Sequence, residues 1–271
     1  MSRAGPIGVF DSGVGGLTVV GEIRRRLPGE KILYFGDTAR VPYGNKSPRT
    51  VERYSREIAH FLARQGIRFL VVACNTSSAV ALPGLEKRAK LPVLGMILPG
   101  AEAAVRASRT GRIGLIGTRA TVASGAYARA VKALAPRARF FAAACPLLVP
   151  LVEEGWAQDP VAEEVVARYL GPLLARDVDT LILGCTHYPV LVPVLRKVAG
   201  PSVALISSSE AAAEALVRRL GPGAAGRAAG AGGLTCFVTD AGTYFREVAE
   251  RILGHPLGPL KAVDEERLVL P

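Results

Sequence analysis

The 271-residue chain is poor in aromatic residues (6%), in histidine (three), in methionine (two) and in tryptophan (one). His60, His187 and His255 are far apart and form neither HxH nor HExxH, so no metal site is expected. The four cysteines, Cys74, Cys145, Cys185 and Cys236, include no CxxC pair and no disulfide-framework spacing. Free thiols in a chain of this length point to a reducing cytoplasm. No apolar run reaches the roughly 18 residues of a membrane span. The longest, 140–152, is interrupted by Pro146 and Pro150. The first residues carry no signal-peptide pattern, and a cytoplasmic location is expected. No GxxxxGK[ST] loop is present, and Asp11-Ser12-Gly13-Val14-Gly15-Gly16 fails GxGxxG because Thr18 replaces the third glycine. The dinucleotide reading is therefore weak.

What is present is positive charge and small residues. Lys and Arg number 34 against 23 Asp and Glu, a net +11. Such a balance suits an anionic substrate or a polyanion. The arginines are scattered over helix-like segments and are not interleaved with aromatics, which argues against nucleic acid as the main partner. Thirty glycines and 49% hydrophobic residues suit a compact α/β protein.

Short apolar runs alternate with longer amphipathic ones, which predicts a mainly parallel α/β architecture. Strands are expected at 7–10, 32–35, 69–73, 112–116, 139–143, 180–183, 202–206 and 234–238. Helices are expected at 17–27, 51–64, 122–134, 161–174, 209–220 and 244–253, with others starting near residue 79 and after residue 189. In 51–64, Val51, Tyr54, Ile58, Phe61 and Leu62 share one helical face. Residues 74–78, 117–121 and 184–189 read as loops, and the Gly/Ala-rich 221–233 as a flexible surface loop.

The pattern echoes itself. Residues 69–76 and 180–187 each run as apolar strand, small residue, cysteine, polar pair, and 8–13 echoes 112–119. Two similar α/β domains are expected, facing each other in a pseudo-two-fold arrangement. Their boundaries fall at 1–97 plus 208–271 and at 98–207, with the site in the cleft between them. Sites of open α/β sheets lie beyond the carboxyl ends of strands, where Cys74 and Cys185 fall.

A single cysteine after a buried strand is most often an inert core residue. Two of them, each followed by polar residues, suggest more. Inverting a carbon requires a proton removed from one face and another delivered to the opposite face. Two thiols, each about 3–3.5 Å from the carbon and so roughly 7 Å apart, meet that need. A free thiol is only a few per cent ionised at neutral pH, so each needs assistance. His187 is the candidate partner of Cys185. Asp11 is the candidate beside Cys74, either accepting a proton or balancing a substrate ammonium. Cys145 and Cys236, in apolar stretches, read as core. His60 and His255 read as structural.

Other polar segments stay open. The loop from Gly36 to Gly44 reads equally as a plain loop or a binding loop, as do Thr118 and Thr121. Glu153 and Glu154 read as a solvated helix start, or as acids reaching into the cleft.

Four motifs in order carry a family resemblance: Ile7 to Thr18, Gly36 to Gly44, Ala73 to Ala79 and Leu183 to Pro189, with Val238-Thr239-Asp240 near the end. The chain resembles the glutamate racemases of the aspartate/glutamate racemase superfamily from residue 7 to about residue 253. The resemblance implies a cofactor-independent isomerase with Cys74 and Cys185 as its acid/base pair, the first working on the D-isomer and the second on the L-isomer. It implies that Asp11, Glu153 and His187 assist. It assigns substrate binding to Ser12, Pro42, Tyr43, Gly44, Asn75, Thr76, Thr118, Thr121 and Thr186. It also implies a homodimer and D-glutamate production for peptidoglycan. One departure is Ser207, where such enzymes often carry aspartate. Racemisation of another amino acid such as aspartate or of a hydantoin, or a basic binding protein without catalysis, are the alternative readings.

Overall fold

The computed structural model describes residues 5–221, 232–268 and 270. Most of the Gly/Ala-rich segment expected to be a flexible loop lies outside them; its last residue, Gly233, opens a strand.

The first βα sequence comprises β1 (Ile7–Asp11), α1 (Leu17–Arg26), β2 (Lys31–Gly36), α2 (Pro48–Arg64), β3 (Phe69–Val72), α3 (Asn75–Val80), α4 (Leu82–Arg88) and β4 (Val93–Gly95). After α5 (Ile97–Ala107) the theme repeats with β5 (Arg112–Gly117), α6 (Arg119–Ala123), α7 (Ala126–Leu134), β6 (Arg139–Ala144), α8 (Leu148–Glu153), α9 (Pro160–Leu174), β7 (Thr180–Gly184), α10 (Val192–Ala199) and β8 (Ala204–Ser207). The chain then returns through α11 (Ser208–Leu220) to β9 (Gly233–Val238), α12 (Thr243–Leu253) and β10 (Leu260–Ala262).

Two parallel sheets result. One has the order β10-β9-β2-β1-β3-β4, the other β6-β5-β7-β8. The run β2-β1-β3-β4 and the run β6-β5-β7-β8 share one topology, so the echo in the sequence is an echo of fold. The central strands β1, β3 and β7 are buried throughout, as parallel strands covered on both faces must be. Alternate residues of β1 serve different cores. Ile7 and Val9 pack with α1, α11 and α12, whereas Phe10 packs with α2 and α4. The second sheet is sandwiched likewise between α9 and α10 on one face and α5 and α7 on the other.

Several element boundaries depart from the sequence reading, and local chemistry explains each. α2 begins before residue 51, because Ser47 accepts the Thr50 N–H at 3.3 Å and Pro48 occupies the first helical position. Residues 75–78 are helical and not a loop: Cys74 caps α3, its Sγ accepting the Ser77 N–H at 3.4 Å. Asn75, Thr76, Ser77 and Ser78 are all buried, so α3 lacks the apolar stripe that marks a helix in sequence. The helix expected at 122–134 is two helices. Thr118 caps α6, and Gly125 at φ +64° breaks the chain before α7. The short β4 and the helix α5 had no counterpart in the sequence reading.

Candidate functional site

The two sheets present equivalent strand ends to one another. β1 and β3 are neighbours in the first sheet and end at Asp11 and just before Cys74. β5 and β7 are neighbours in the second and end just before Thr118 and Cys185, with Gly117 paired to Gly184. Between these ends lies a cavity of ≈ 300 Å³, at the small end of ligand pockets. Both cysteines line it, one from each sheet.

Of the expected binding residues, Ser12, Pro42, Tyr43, Gly44, Asn75, Thr76, Thr118 and Thr186 line the cavity, as do His187 and Glu153. Asp11 and Thr121 lie behind its wall. Thr121 Oγ1 is 3.1 Å from Thr76 Oγ1 and 3.0 Å from Thr118 Oγ1, and those two hydroxyls are 2.9 Å apart. This triangle of hydroxyls ties α3 of the first sheet to α6 of the second. Asn75 is also bound at both ends of its amide, accepting from Tyr127 Oη at 2.7 Å and donating to Ser208 Oγ at 3.2 Å.

The second cysteine heads a chain of contacts. His187 Nδ1 is 3.8 Å from Cys185 Sγ, and its Nε2 is 2.9 Å from Glu153 Oε1. Burial alone lowers the pKa of His187, but the hydrogen bonds to Cys185 and Glu153 and their charges prevail, and it is pushed up to about 10. The imidazolium form is thus favoured beside Cys185. Glu153 closes the six-residue α8, so the reading of a solvated helix start is corrected: Glu153 sits at a helix end and turns to the histidine. Glu154 is exposed, near Tyr244.

The first cysteine has a different setting. Burial and then the charge of Asp11 push the Cys74 thiol up to about 11, against hydrogen bonds from Ser77 and Ser12. Burial likewise raises the Asp11 carboxyl, opposed by His187 and by the N–H of Gly13, 3.2 Å from Oδ2. Thr186 Oγ1 lies 3.5 Å from Asp11 Oδ1, joining the two halves.

The glycine-rich turn after β1 has a steric reason. A Cβ on Gly15 would fall 2.4 Å from both His187 Nδ1 and Thr186 Oγ1, so only glycine lets this turn meet the Cys185 turn. Gly44 also packs closely, a Cβ there falling 2.8 Å from Thr118 Cβ.

Sequence reasoning missed several residues. Arg119, Gly13, Val41, Asn45, Pro146, Val149 and Pro150 also line the cavity. Arg119 sits between the two threonines singled out above, and that adjacency was the only available signal. Asp37 was missed as an anchor. It is fully buried, accepts from Arg40 Nε at 2.8 and 2.9 Å, from Thr239 Oγ1 at 3.1 Å and from the Tyr43 hydroxyl. It thereby fixes the 37–45 loop and gives Thr239 its purpose. Ser207 provides no carboxylate; its hydroxyl caps α11 by accepting the Glu210 N–H at 3.3 Å. Cys145 and Cys236 are fully buried core residues, and burial pushes each thiol up to about 12. His60 and His255 are exposed and remote. Among the described residues no group of three or more His, Cys, Asp or Glu gathers as a metal site, and no helix is long and apolar enough to cross a membrane.

Two parallel α/β sheets of matching topology each deliver a cysteine to a shared small cavity. Comparison with known proteins gives the class to which this arrangement belongs. The model of the Asp/Glu/Hydantoin racemase family matches residues 7–216. The chain is 50% identical over 269 residues to the glutamate racemase of Syntrophus aciditrophicus (strain SB), covering 95% of this chain and 96% of that protein. Among solved structures, a glutamate racemase isoform from Bacillus anthracis superposes with TM-score 0.91 at 40% identity, covering 97% and 98% of the two chains. That of Francisella tularensis, solved in complex with D-glutamate, gives TM-score 0.88 at 35% identity over 96% and 97%. The chain belongs to the Asp/Glu/hydantoin racemase family and is an isomerase.

Proposed function

We propose that the protein is a cofactor-independent glutamate racemase that interconverts L- and D-glutamate by two-base proton transfer at Cα. The observation that carries this reading is the placement of Cys74 and Cys185 on one cavity, from equivalent strand ends of two sheets. Glutamate is favoured because the full-length relatives are glutamate racemases and the Francisella enzyme was solved with D-glutamate.

In the L-to-D direction Cys185 acts as thiolate beside the His187 imidazolium and takes the Cα proton. The electron pair left on Cα is delocalised into the α-carboxylate. Cys74, which burial keeps protonated, delivers its proton to the other face. The reverse direction exchanges the roles: Cys74 first passes its proton to Asp11, whose carboxyl is also raised, Cys185 takes one from the His187 imidazolium, and Cys74 then removes the Cα proton while Cys185 protonates the other face. Ser12, Thr76, Thr118, Asn75 and Thr186 supply the hydroxyl and amide groups that hold the substrate, with Pro42, Tyr43 and Gly44 as the facing wall. Thr121 supports Thr76 and Thr118 from behind. The domains divide as 1–97 plus 208–271 and 98–207, where the chain crosses between sheets. The reading carries a cytoplasmic location, a role in peptidoglycan synthesis and a homodimer, the last checked by sedimentation.

The test is incubation with L-glutamate in D2O, with EDTA and no added cofactor. Ellipticity of the amino acid should decay to zero with deuterium at Cα, and Cys74→Ser and Cys185→Ser should each abolish the decay. Untouched glutamate with active aspartate would overturn the substrate assignment. A dispensable cysteine would overturn the two-base assignment.

A further inference from the structure

The chain of contacts from Cys185 through His187 ends at Glu153, and Glu153 is itself held from the other half of the molecule. α8 is short, and its last carbonyls need partners. The carbonyls of Pro150, Leu151 and Val152 accept from the N–H groups of Glu154, Trp156 and Gly155. The carbonyl of Glu153 accepts instead from Arg251 Nη1 at 2.8 Å. Arg251 stands in the last turn of α12, whose Phe245, Val248 and Ala249 are embedded in the core of the first sheet. Its guanidinium therefore reaches from one half of the protein to the other.

Gly155 makes this contact possible in two ways. Its φ of +80° turns the chain back at the end of α8, a conformation glycine adopts freely. A Cβ there would fall 3.1 Å from Arg251 Nη1 and 3.2 Å from Cζ, in the space the guanidinium fills. The contact is to backbone, so it fixes where α8 ends and hence where the Glu153 side chain starts. From that point the carboxylate reaches His187 Nε2.

Resting on the reading of Glu153 and His187 given above, we propose that Arg251 is a positioning residue. From α12 it clamps the Glu153 turn and so aims the Glu153 carboxylate at the histidine that serves Cys185. Arg251 touches neither base nor substrate. Its action runs through Glu153.

Arg251 is exposed and alanine is the best helix former, so Arg251→Ala should fold normally. Racemase kinetics would be measured for Arg251→Ala, Arg251→Lys, Glu153→Ala and the Arg251→Ala/Glu153→Ala double variant. Arg251→Ala should lower kcat about tenfold, within the hundredfold that a displacement of roughly 1 Å can cost, with KM changed less than about twofold. Arg251→Lys, which still offers a cationic donor, should recover most of the loss. The double variant should be no slower than Glu153→Ala alone, since without the carboxylate there is nothing left to aim. Wild-type kcat in Arg251→Ala beside an impaired Glu153→Ala overturns the inference and leaves the Glu153 assignment standing. Additive losses in the double variant overturn it too, because Arg251 would then act by another route. Wild-type kcat in Glu153→Ala removes the Glu153 assignment itself, and the inference with it.

Discussion

His187 Nε2 and Glu153 Oε1 lie 2.9 Å apart, although the two residues are 34 positions apart in the chain and one belongs to a strand-end turn and the other to a helix end. With the larger effect of the hydrogen bond to Cys185, this contact raises the pKa of His187 against the burial that lowers it. His187 is raised to about 10 from its ordinary 6.5, so the stability it contributes is fully present below pH 6.5 and is lost as pH rises through about 10. Cys185, Glu153 and Asp11 are the ionisable groups acting on it. Glu153→Gln should therefore shift the histidine titration to lower pH, by about one unit or more. Wild type should exceed the variant in stability at neutral pH, with the gap closing as pH rises through about 10. Imidazole proton shifts by NMR and urea melts across pH 6–10 check both statements; an unmoved titration contradicts them.

Gly15 offers a steric test with an internal control. Gly15→Ala places a methyl 2.4 Å from His187 Nδ1 and must push the two turns apart. Its kcat/KM should fall about a hundredfold, as expected for a catalytic group displaced by roughly 1 Å. At Gly21, within α1, a methyl would meet nothing within 4 Å. Gly21→Ala should leave kinetics unchanged and stabilise the protein by about 0.5–1 kcal/mol in urea melts. Equal kinetics for the two variants would contradict the close-approach argument.

The four thiols should separate by chemistry. All are free and buried, but only Cys74 and Cys185 line the cavity, whereas Cys145 and Cys236 lie in core at 0% exposure. A small alkylating reagent at pH 8 should label Cys185 first in the native protein and Cys74 more slowly, since burial keeps its thiol protonated, and should reach Cys145 and Cys236 only after denaturation, since buried structural thiols are inert. Mass spectrometry of the labelled peptides reads the order, and native labelling of Cys236 ahead of Cys185 would refute it.

Asp37 should matter for stability more than any surface charge. Replacing it with asparagine removes the charge that faces Arg40 and weakens the acceptors for Tyr43 and Thr239. A buried pair broken on one side costs about 3–5 kcal/mol; Glu57, 2.5 Å from Arg40 Nη1, compensates in part, so a loss of about 2–3 kcal/mol is expected for Asp37→Asn. Urea midpoints measure it, and a rise in KM should accompany it because Tyr43 forms one wall of the cavity.

The sequence by itself determined the repeated strand–cysteine unit, the parallel α/β class and most helices and strands. Each of these is local: a strand buried on both faces is a continuous apolar run, and a helix facing a core has a stripe at 3.6-residue spacing. It determined the cysteines as a pair because each is followed by polar residues where an apolar core would not place them. Only the tertiary structure decided the rest. α3 was invisible because its buried face is polar and its cap is a thiol. The residues alone left Glu153 open between a solvated helix start and an acid reaching into the cleft, because nothing near it in sequence tells that a histidine 34 positions on waits at the end of α8. Asp37 and Thr239, Arg251 and Glu153, and Gly15 and His187 likewise meet across long chain separations. Such partners are chosen by how sheets and helices pack, and one sequence carries no local periodicity that records it.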